Sequence, residues 1–522
     1  MDQAEIVLVS LLVAVVGLSA VARALNIPYP IVLVLGGVVL GLVPGLPDVR
    51  LDPKLVLLIF LPPLLYAGAF FANLRDLRAN LRVISLLSIG LVLATMVVVA
   101  VIAHAFIDDL SWPACFTLGA IVAPTDPLAA TEIARRLGVP RRLVSVLEGE
   151  GLVNDATALV AYKIALAAAG GAAFSLLHAG WDFLWKASGG VAVGLVVGWV
   201  IAEIRRRVED PLIENTIGLL TAYAAYVPAD RLGFSAVLAA VTAGVYVGWQ
   251  APQIASPASR LQGVGMWELL QFLLNAFLFV LVGLQLPVIL SALDAYAPLT
   301  LLGYGAAVSG AVILTRLVWG HTTVYLVRAL DRRESQRARR VDWRQRTVSG
   351  WAGMRGAVSL AAALALSPGF EQRDLLIFLT FAVILATLVI QGLTLPALIR
   401  ALGVQDDGRE EHEELKGRLM ATKAALHRID ELEGEEWTRD DTIERMRGLY
   451  RYRKRRLAAR AGIADDDEGY EDRSLAYQTL VREVLEAQRR EIVRLRNEGT
   501  ISNEVMHRLE RELDLEDQRL EI

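Results

Sequence analysis

The stretch GAIVAPTDPLAATEI, residues 119–133, decides how the chain is read. It is an apolar run with Pro124, Thr125, Asp126 and Pro127 at its centre. Proline removes a backbone donor and its ring clashes with the preceding turn, so two prolines three apart predict an unwound helix. Unwound backbone at membrane depth is tolerated only when buried in protein or lining a water-filled cavity. Whether this run lies in a membrane therefore governs what Thr125 and Asp126 are for.

Composition answers that first question. The chain has 522 residues, 55% of them hydrophobic, with a mean hydropathy of +0.46. A soluble domain is roughly 45–50% apolar, and the excess here is unevenly spread. Apolar runs dominate to about Leu402, and from about Gln405 the chain is charged. The expectation is a transmembrane domain over 1–404 and a cytoplasmic helical tail over 405–522. The net charge of −4 averages over both and says little. The single Cys115, set in an apolar run, excludes an internal disulfide framework and reads as a buried structural residue. The N-terminal MDQAEIVLVSLL lacks a basic region and a small-residue cleavage site, so it is expected to be the first span.

Segments of about 20 apolar residues can cross the hydrocarbon core. They fall at 5–25, 28–46, 52–72, 81–107, 111–133, 142–170, 187–205, 211–228, 233–250, 265–287, 297–328, 345–367 and 372–401, thirteen in all. The connections LRDLRANLR (74–82), ARRLGVPRR (134–142), IRRRVED (204–210) and RALDRRESQRARRVDWRQR (328–346) are Arg-rich. The intervening IDDLSW (107–112), AAGGAAFSLLHAGWD (168–182) and VILSALDAYAP (288–298) hold almost no Lys or Arg. Basic loops stay cytoplasmic, and thirteen spans place every Arg-rich loop on one side, with the tail inside and the N-terminus outside. In the tail, ELKGRLMATKAALHRIDELEGEEW and VREVLEAQRREIVRLRNEGTISNEVMHRLERELDLEDQRL show helical spacing, and the acidic ADDDEGYEDRS (464–474) reads as a loop between helices. Either regulation or assembly, or no duty beyond a solvated bundle, fits that tail.

A second interruption is expected in SGWAGMRGAVSLAAALAL (349–366), where Gly350, Gly353 and Gly356 flank Arg355. It lies in the twelfth span and the first break in the fifth. An offset of seven gives opposite topology to spans 1–6 and 8–13, and interrupted spans at matching places of inverted repeats point to a transport site near the midplane. A packing kink accounts for one break more easily than for a matched pair, each with a charge.

An ionisable group at bilayer depth is costly and marks function by default. The inventory is Asp126, then Glu148, Glu150 and Asp155 in the sixth span, Arg316 in the eleventh and Arg355 in the twelfth. On LVSVLEGEGLVNDATALVAYKIALAAAGG (143–171), Glu148 and Asp155 share one helix face, and Glu150 and Asn154 a neighbouring one. Glu150 reads as half of a structural ion pair with Arg316 or Arg355, since a buried carboxylate needs a partner and Arg offers a bidentate one. Glu148, nearer the cytoplasmic end, reads as a mouth residue. Asp155 lies deep, opposite the break at Thr125–Asp126. A carboxylate removed from water is not tolerated as a bare charge, so Asp155 holds either a proton or a cation. Oxygens of Asp155 and of the unwound backbone at Thr125 suit a hard monovalent cation, with Asn154 and Asp126 keeping the two helices in register.

At these residues the chain resembles the monovalent cation:proton antiporter-1 family, which includes NhaP-type sodium/proton antiporters and the mammalian sodium/proton exchangers. The resemblance covers roughly 5–402 and rests on FLPPLLYAGAF (60–70), APTDPLAA (123–130), EGEGLVNDATALV (148–160), TRLVW (315–319) and GMRGAVSLA (353–361). It implies an all-α polytopic membrane protein with two inverted repeats, a homodimer in the cell membrane, and electroneutral exchange of one Na+ or Li+ for one proton. It implies Asp155 as the ion-binding aspartate, Thr125 and Asp126 as the crossing of the broken helix, Glu150 as the partner of Arg316, and Arg355 as the arginine of the second break. The Asn154–Asp155 pair resembles the electroneutral branch. Two departures weaken the case for sodium over potassium. Many relatives carry a carboxylate where Ala67 stands, and many have Ser where Gly151 stands.

A potassium/proton exchanger is therefore the rival within the class, and a cation channel the rival outside it. A channel needs a continuous pore with several weak sites, which one deep carboxylate does not supply. No His or Cys cluster points to an enzyme's metal site, and no phosphate-cradling motif points to ATP. No cofactor or nucleic-acid partner is expected; the partners are the bilayer and a second copy of the chain.

Overall fold

The computed structural model describes residues 3–43, 53–108, 110–170, 176–330, 341–406, 408–461 and 470–520. Every described secondary-structure element is helical. The chain divides into two compact units, 1–406 and 407–522.

Six described helices are long and apolar enough to cross a membrane: Leu74–Phe106, Arg141–Ala169, Gly180–Arg205, Pro257–Ser291, Pro298–Thr323 and Arg373–Leu402. Shorter apolar helices run over Val9–Leu25, Tyr29–Gly41, Val56–Phe71 and Trp112–Val122. The outer surface carries Val13, Val16, Trp181, Leu212 and Leu299, all exposed. Such a surface is expected against lipid, because water would not tolerate apolar patches of that extent.

In chain order the first unit contains α1 (Gln3–Leu25), α2 (Tyr29–Gly41), α3 (Pro53–Phe71), α4 (Leu74–Phe106), α5 (Trp112–Val122), α6 (Leu128–Arg136), α7 (Arg141–Ala169) and α8 (Leu176–Arg205). It continues with α9 (Pro211–Arg231), α10 (Ala236–Ile254), α11 (Pro257–Ser291), α12 (Pro298–Leu330), α13 (Trp343–Trp351), α14 (Ala357–Leu364) and α15 (Arg373–Leu402). Asn73, Asp210, Ser235, Ser256 and Asp342 cap helix starts with side-chain oxygens. Helix α10 packs on α3 and α8, α2 on α11, and α4 on α5 and α12. Two π-helical turns, Leu86–Leu91 and Thr387–Gln391, interrupt α4 and α15; such bulges are frequent at functional sites.

Two expectations change, and parts of others lie outside the described residues. LRDLRANLR (74–82) is no loop but the first turns of α4, begun by the Asn73 cap and kept amphipathic by its alternating Arg and Leu. Of the basic connection 328–346, residues 331–340 lie outside the described residues. The acidic stretch 464–474 is helical from Tyr470 onward, and 464–469 lies outside the described residues. Residues 44–46 of the second expected span and 171–175 of the connection after the sixth also lie outside them.

The second unit consists of α16 (Arg409–Glu431), α17 (Asp440–Arg460), α18 (Tyr470–Asn497) and α19 (Asn503–Leu520). Leu415, Leu419 and Leu457 form a small core between α16 and α17. Arg489 of α18 reaches Asp514 of α19 at 2.8 Å. Sequence reading passed over α17, whose Arg-dense RMRGLYRYRKRRLAAR hides its few apolar positions.

Candidate ion-binding site

Both expected interruptions are present. Helix α5 stops at Val122 and α6 starts at Leu128, and α13 stops at Trp351 with α14 starting at Ala357. The two breaks touch. The Asp126 N–H donates to the Met354 carbonyl at 2.8 Å, so each break supplies a partner the other lacks. Arg355 lies across the first break, its Nε donating to the Val122 carbonyl at 3.0 Å and its Nη2 to that of Ala123 at 3.5 Å. Its Nη1 also donates to the Gly353 carbonyl. These are carbonyls that the end of a helix leaves unpaired, and a guanidinium is matched to such a cluster by its fixed fork of donors.

Arg355, the other arginine left open as a partner for Glu150, therefore forms no ion pair with a carboxylate among the described residues. Its donors are taken by the carbonyls that the break exposes. Arg316 makes that pair instead: its Nη2 meets Glu150 Oε2 at 2.8 Å, and its Nη1 meets Oε1. Both side chains are almost wholly buried. Gly353 makes room for it, since a Cβ there would stand 2.7 Å from Arg316 Nε.

The face of α7 that carries Glu150 and Asn154 ties this pair to the first break. Thr125 Oγ1 donates to Glu150 Oε1 at 2.9 Å. Asn154 Nδ2 donates to the Thr125 carbonyl at 3.0 Å and to its Oγ1 at 2.8 Å. Asn154 thus registers α7 on the unwound backbone. Asp126 acts differently from that expectation: its Oδ1 accepts from the Leu128 N–H at 3.0 Å and starts α6.

The adjoining face of α7 lines a cavity. Glu148, Gly151, Leu152 and Asp155 line a cavity of about 670 Å³, together with Thr125, Asp126 and Ser359. Glu148 is partly exposed and pairs with exposed Arg135 at 2.5 Å. Asp155 is 9% exposed, and among the described residues no group hydrogen-bonds to it or forms an ion pair with it.

Sequence reading missed several residues. Glu132, Glu268, Gln271, Asn275 and Ser359 also line the cavity. Uncharged Ser, Asn and Gln in apolar runs raise no alarm, and Glu268 lies near a span edge. It also missed the buried pair of Arg205 and Glu214, 3.7 Å apart. The only warning was a Glu four residues past an Arg-rich connection.

Two interrupted helices crossing at buried charges, beside a cavity ending at a buried carboxylate, are the architecture of a secondary transporter in a multi-pass membrane protein. The chain belongs to the sodium/hydrogen exchanger transmembrane family, which it matches over residues 8–401. It is 36% identical over 532 residues to a Na+/H+ exchanger of Mycobacterium tuberculosis, covering 99% of this chain and 96% of that one. It is 30% identical to a sodium, potassium, lithium and rubidium/H+ antiporter of Bacillus pumilus, covering 78% of this chain and 63% of that one. The fold matches the sodium proton antiporter MjNhaP1 of Methanocaldococcus jannaschii with a TM-score of 0.59 at 19% identity, over 77% of this chain and 99% of that one.

Proposed function

We propose that the chain exchanges Na+ or Li+ for protons across the cell membrane, electroneutrally and by alternating access, with proton and cation competing for Asp155. The observation that carries this reading is the contrast among the carboxylates of α7 and the first break. Glu150 is held by Arg316, Glu148 by Arg135, and Asp126 by a helix start, whereas Asp155 faces the cavity without a protein partner.

The stoichiometry follows from charge. A carboxylate in a low-dielectric site is stable when neutralised, and one proton or one monovalent cation does this equally. The site then crosses with the same net charge in both directions, so one ion exchanges for one proton. Thr125 and Asp126 supply further oxygens beside Asp155, and Asn154 holds Thr125 in place.

Thirteen spans in two inverted repeats place the N-terminus outside and the helical tail, 405–522, in the cytoplasm. Phe71 and Arg135 line the cavity and lie at or next to the ends of α3 and α6, beside Arg-rich stretches. In that topology the cavity faces inward, and the other face of the cycle closes it and opens the opposite side. The working protein is a homodimer without a cofactor, and the tail serves regulation or assembly.

Potassium is the second reading. It is favoured by the name of the Bacillus pumilus relative and by Ala67 and Gly151, which line the cavity without offering a side-chain oxygen.

The test is dequenching of a pH-sensitive dye in proteoliposomes on adding Na+, Li+ or K+, for wild type and Asp155→Asn. Wild type responds to Na+ and Li+ and the variant is silent. Exchange by the variant at the wild-type rate removes Asp155 from the mechanism, and a response to K+ alone moves the assignment to potassium. The rate against pH is bell-shaped: protons occupy Asp155 at low pH, and too few are available for the return step at high pH.

A further inference from the structure

Many hydroxyls on the helices of the first unit donate to the carbonyl four residues earlier. Ser88 donates to Ile84, Thr157 to Val153, Thr380 to Leu376 and Thr387 to Val383. This is how a Ser or Thr is satisfied inside a helix in a membrane. Ser359 does not, and neither do Ser19 and Thr95, but of these three only Ser359 lines the cavity. It is 1% exposed, and its Oγ has no hydrogen-bond partner among the described residues. The cause is its position. The residue four earlier is Arg355, inside the second break, so no preceding helical turn offers an acceptor there. Ser359 lines the same cavity as Asp155, Thr125 and Asp126. A buried hydroxyl left unpaired is costly and is expected to have a partner that visits it.

The opposite wall explains what that partner lacks elsewhere. A hard cation is held by several oxygens. Next to Asp155 on α7, Gly151 offers none, and a Cβ there would stand 2.6 Å from the Pro127 ring. No side chain fits at Gly151 unless the first break moves. Ala67, fully buried, offers none from α3. On the α14 side, Gly356 lies against the Asp126 carboxylate, which brings the start of that helix up to the first break.

We propose that Ser359 is a ligand of the transported cation, giving a hydroxyl oxygen opposite the Asp155 carboxylate, and that it sets preference among alkali cations. This rests on the exchange reading above. The cation would then be held between α7 and α14, so its binding draws the second broken helix to the first, which a proton on Asp155 alone does not do.

The experiment measures apparent KM for Na+, Li+ and K+ in proteoliposomes across pH, for wild type, Ser359→Ala and Ser359→Thr. Ser359→Ala should raise the KM of the preferred cation about tenfold and change the ratio among cations. With cation affinity down and proton affinity unchanged, protons win at higher pH. The acid limb of the profile at fixed, subsaturating cation therefore moves up by about one pH unit. Ser359→Thr, which keeps the hydroxyl, restores the wild-type ratio. A purely structural serine would lower the rate alike for all three cations, without moving the ratio or the acid limb, and that result overturns the proposal. If Ser359→Ala does not transport, thermal stabilisation of the purified protein by Na+ or K+ replaces the rate. Stabilisation equal to wild type overturns the proposal, and its loss supports it. If wild type exchanges no cation at all, the exchange reading falls and this inference with it.

Discussion

Among the described residues of the first unit lie two buried ion pairs, Glu150–Arg316 and Glu214–Arg205, and they differ in every respect except chemistry. Glu150 and Arg316 meet through both oxygens and both terminal nitrogens, and Thr125 adds a hydrogen bond to the same carboxylate. Glu214 and Arg205 make one contact of 3.7 Å, helped by a Ser256 N–H at 3.3 Å, and leave Glu214 Oε1 and Arg205 Nε without partners. Burying an ion pair costs more than its attraction returns unless geometry is good and the remaining lone pairs are satisfied. The first pair meets that condition and the second does not. The first also touches the residues that shape the ion site, while the second joins the end of α8, the start of α9 and the α10–α11 corner. One pair is built into the site, and the other only fastens helix ends.

The sharpest way to break this contrast is to strand a charge in each. Glu150→Ala leaves Arg316 buried, frees Thr125 Oγ1 of an acceptor, and should cost about 3–5 kcal/mol. In a thermal melt of the purified protein we expect severe loss of Tm or failure to obtain folded material. Replacing both partners, with Glu150→Leu and Arg316→Met, should recover most of the Tm but not exchange, because Thr125 loses its anchor. Recovery of exchange would make the pair a mere fastener like the other.

Asn154→Ala comes next. It removes both donors to Thr125 and leaves a buried carbonyl short of a partner, at about 1–3 kcal/mol. Its effect on exchange should exceed its effect on Tm, since Asn154 holds the broken backbone beside Asp155. Equal, small losses in both would show that the break keeps its shape without α7.

Glu214→Ala should cost less than Glu150→Ala, about 1–2 kcal/mol, because Arg205 at a helix end can extend its head toward water. The double replacement Arg205→Met with Glu214→Leu should be neutral or stabilising, with KM for the cation unchanged. A change in KM there would extend the site beyond the cavity.

The same contrast explains what could be read in advance. Glu150 stood out because it interrupts a helix that is otherwise Ala, Leu and Val, and its tie to Arg316 was named with Arg355 left open. Pro124 and Pro127 marked the first break, and three glycines around Arg355 marked the second. These are local signals, carried by residues whose backbone or charge conflicts with their surroundings. Glu214 sends no such signal, since four residues after an Arg-rich turn it reads as solvated. Its burial is decided by Ser256 and by Arg205 folding onto it, contacts that link residues 42 apart in one case. Ser359 is silent for a related reason. Serine in an apolar helix is ordinary, and only the three-dimensional break deprives it of its usual acceptor. Arg355 stayed an open partner for Glu150 because carboxylates are visible in sequence, whereas the carbonyls exposed by an unwound neighbour are not.

The tail gives the smallest effect and sets the lower end of the scale. Glu491 of α18 accepts from Arg494 one turn on, and that hydrogen bond holds its carboxyl below the ordinary carboxylate range. A depressed carboxylate stabilises the folded state above its unfolded value, and the contribution is lost as pH falls through the folded value. The sign is therefore loss on acidification below the usual carboxylate range. The size is small, because both partners are half exposed and water and salt screen them. Glu491→Gln should leave amide exchange of Tyr470–Asn497 unchanged between pH 7 and pH 6, after correction for intrinsic rates, in low and in high salt alike. A large, salt-sensitive loss of protection would mean that this exposed pair is part of a coupled network, and the distinction drawn between well-satisfied buried pairs and all others would have to include the tail. Stability here depends less on whether a pair is charged than on whether every donor and acceptor around it is answered, and at Glu150 that condition is met in part by Thr125, which also lines the cavity of the proposed ion site.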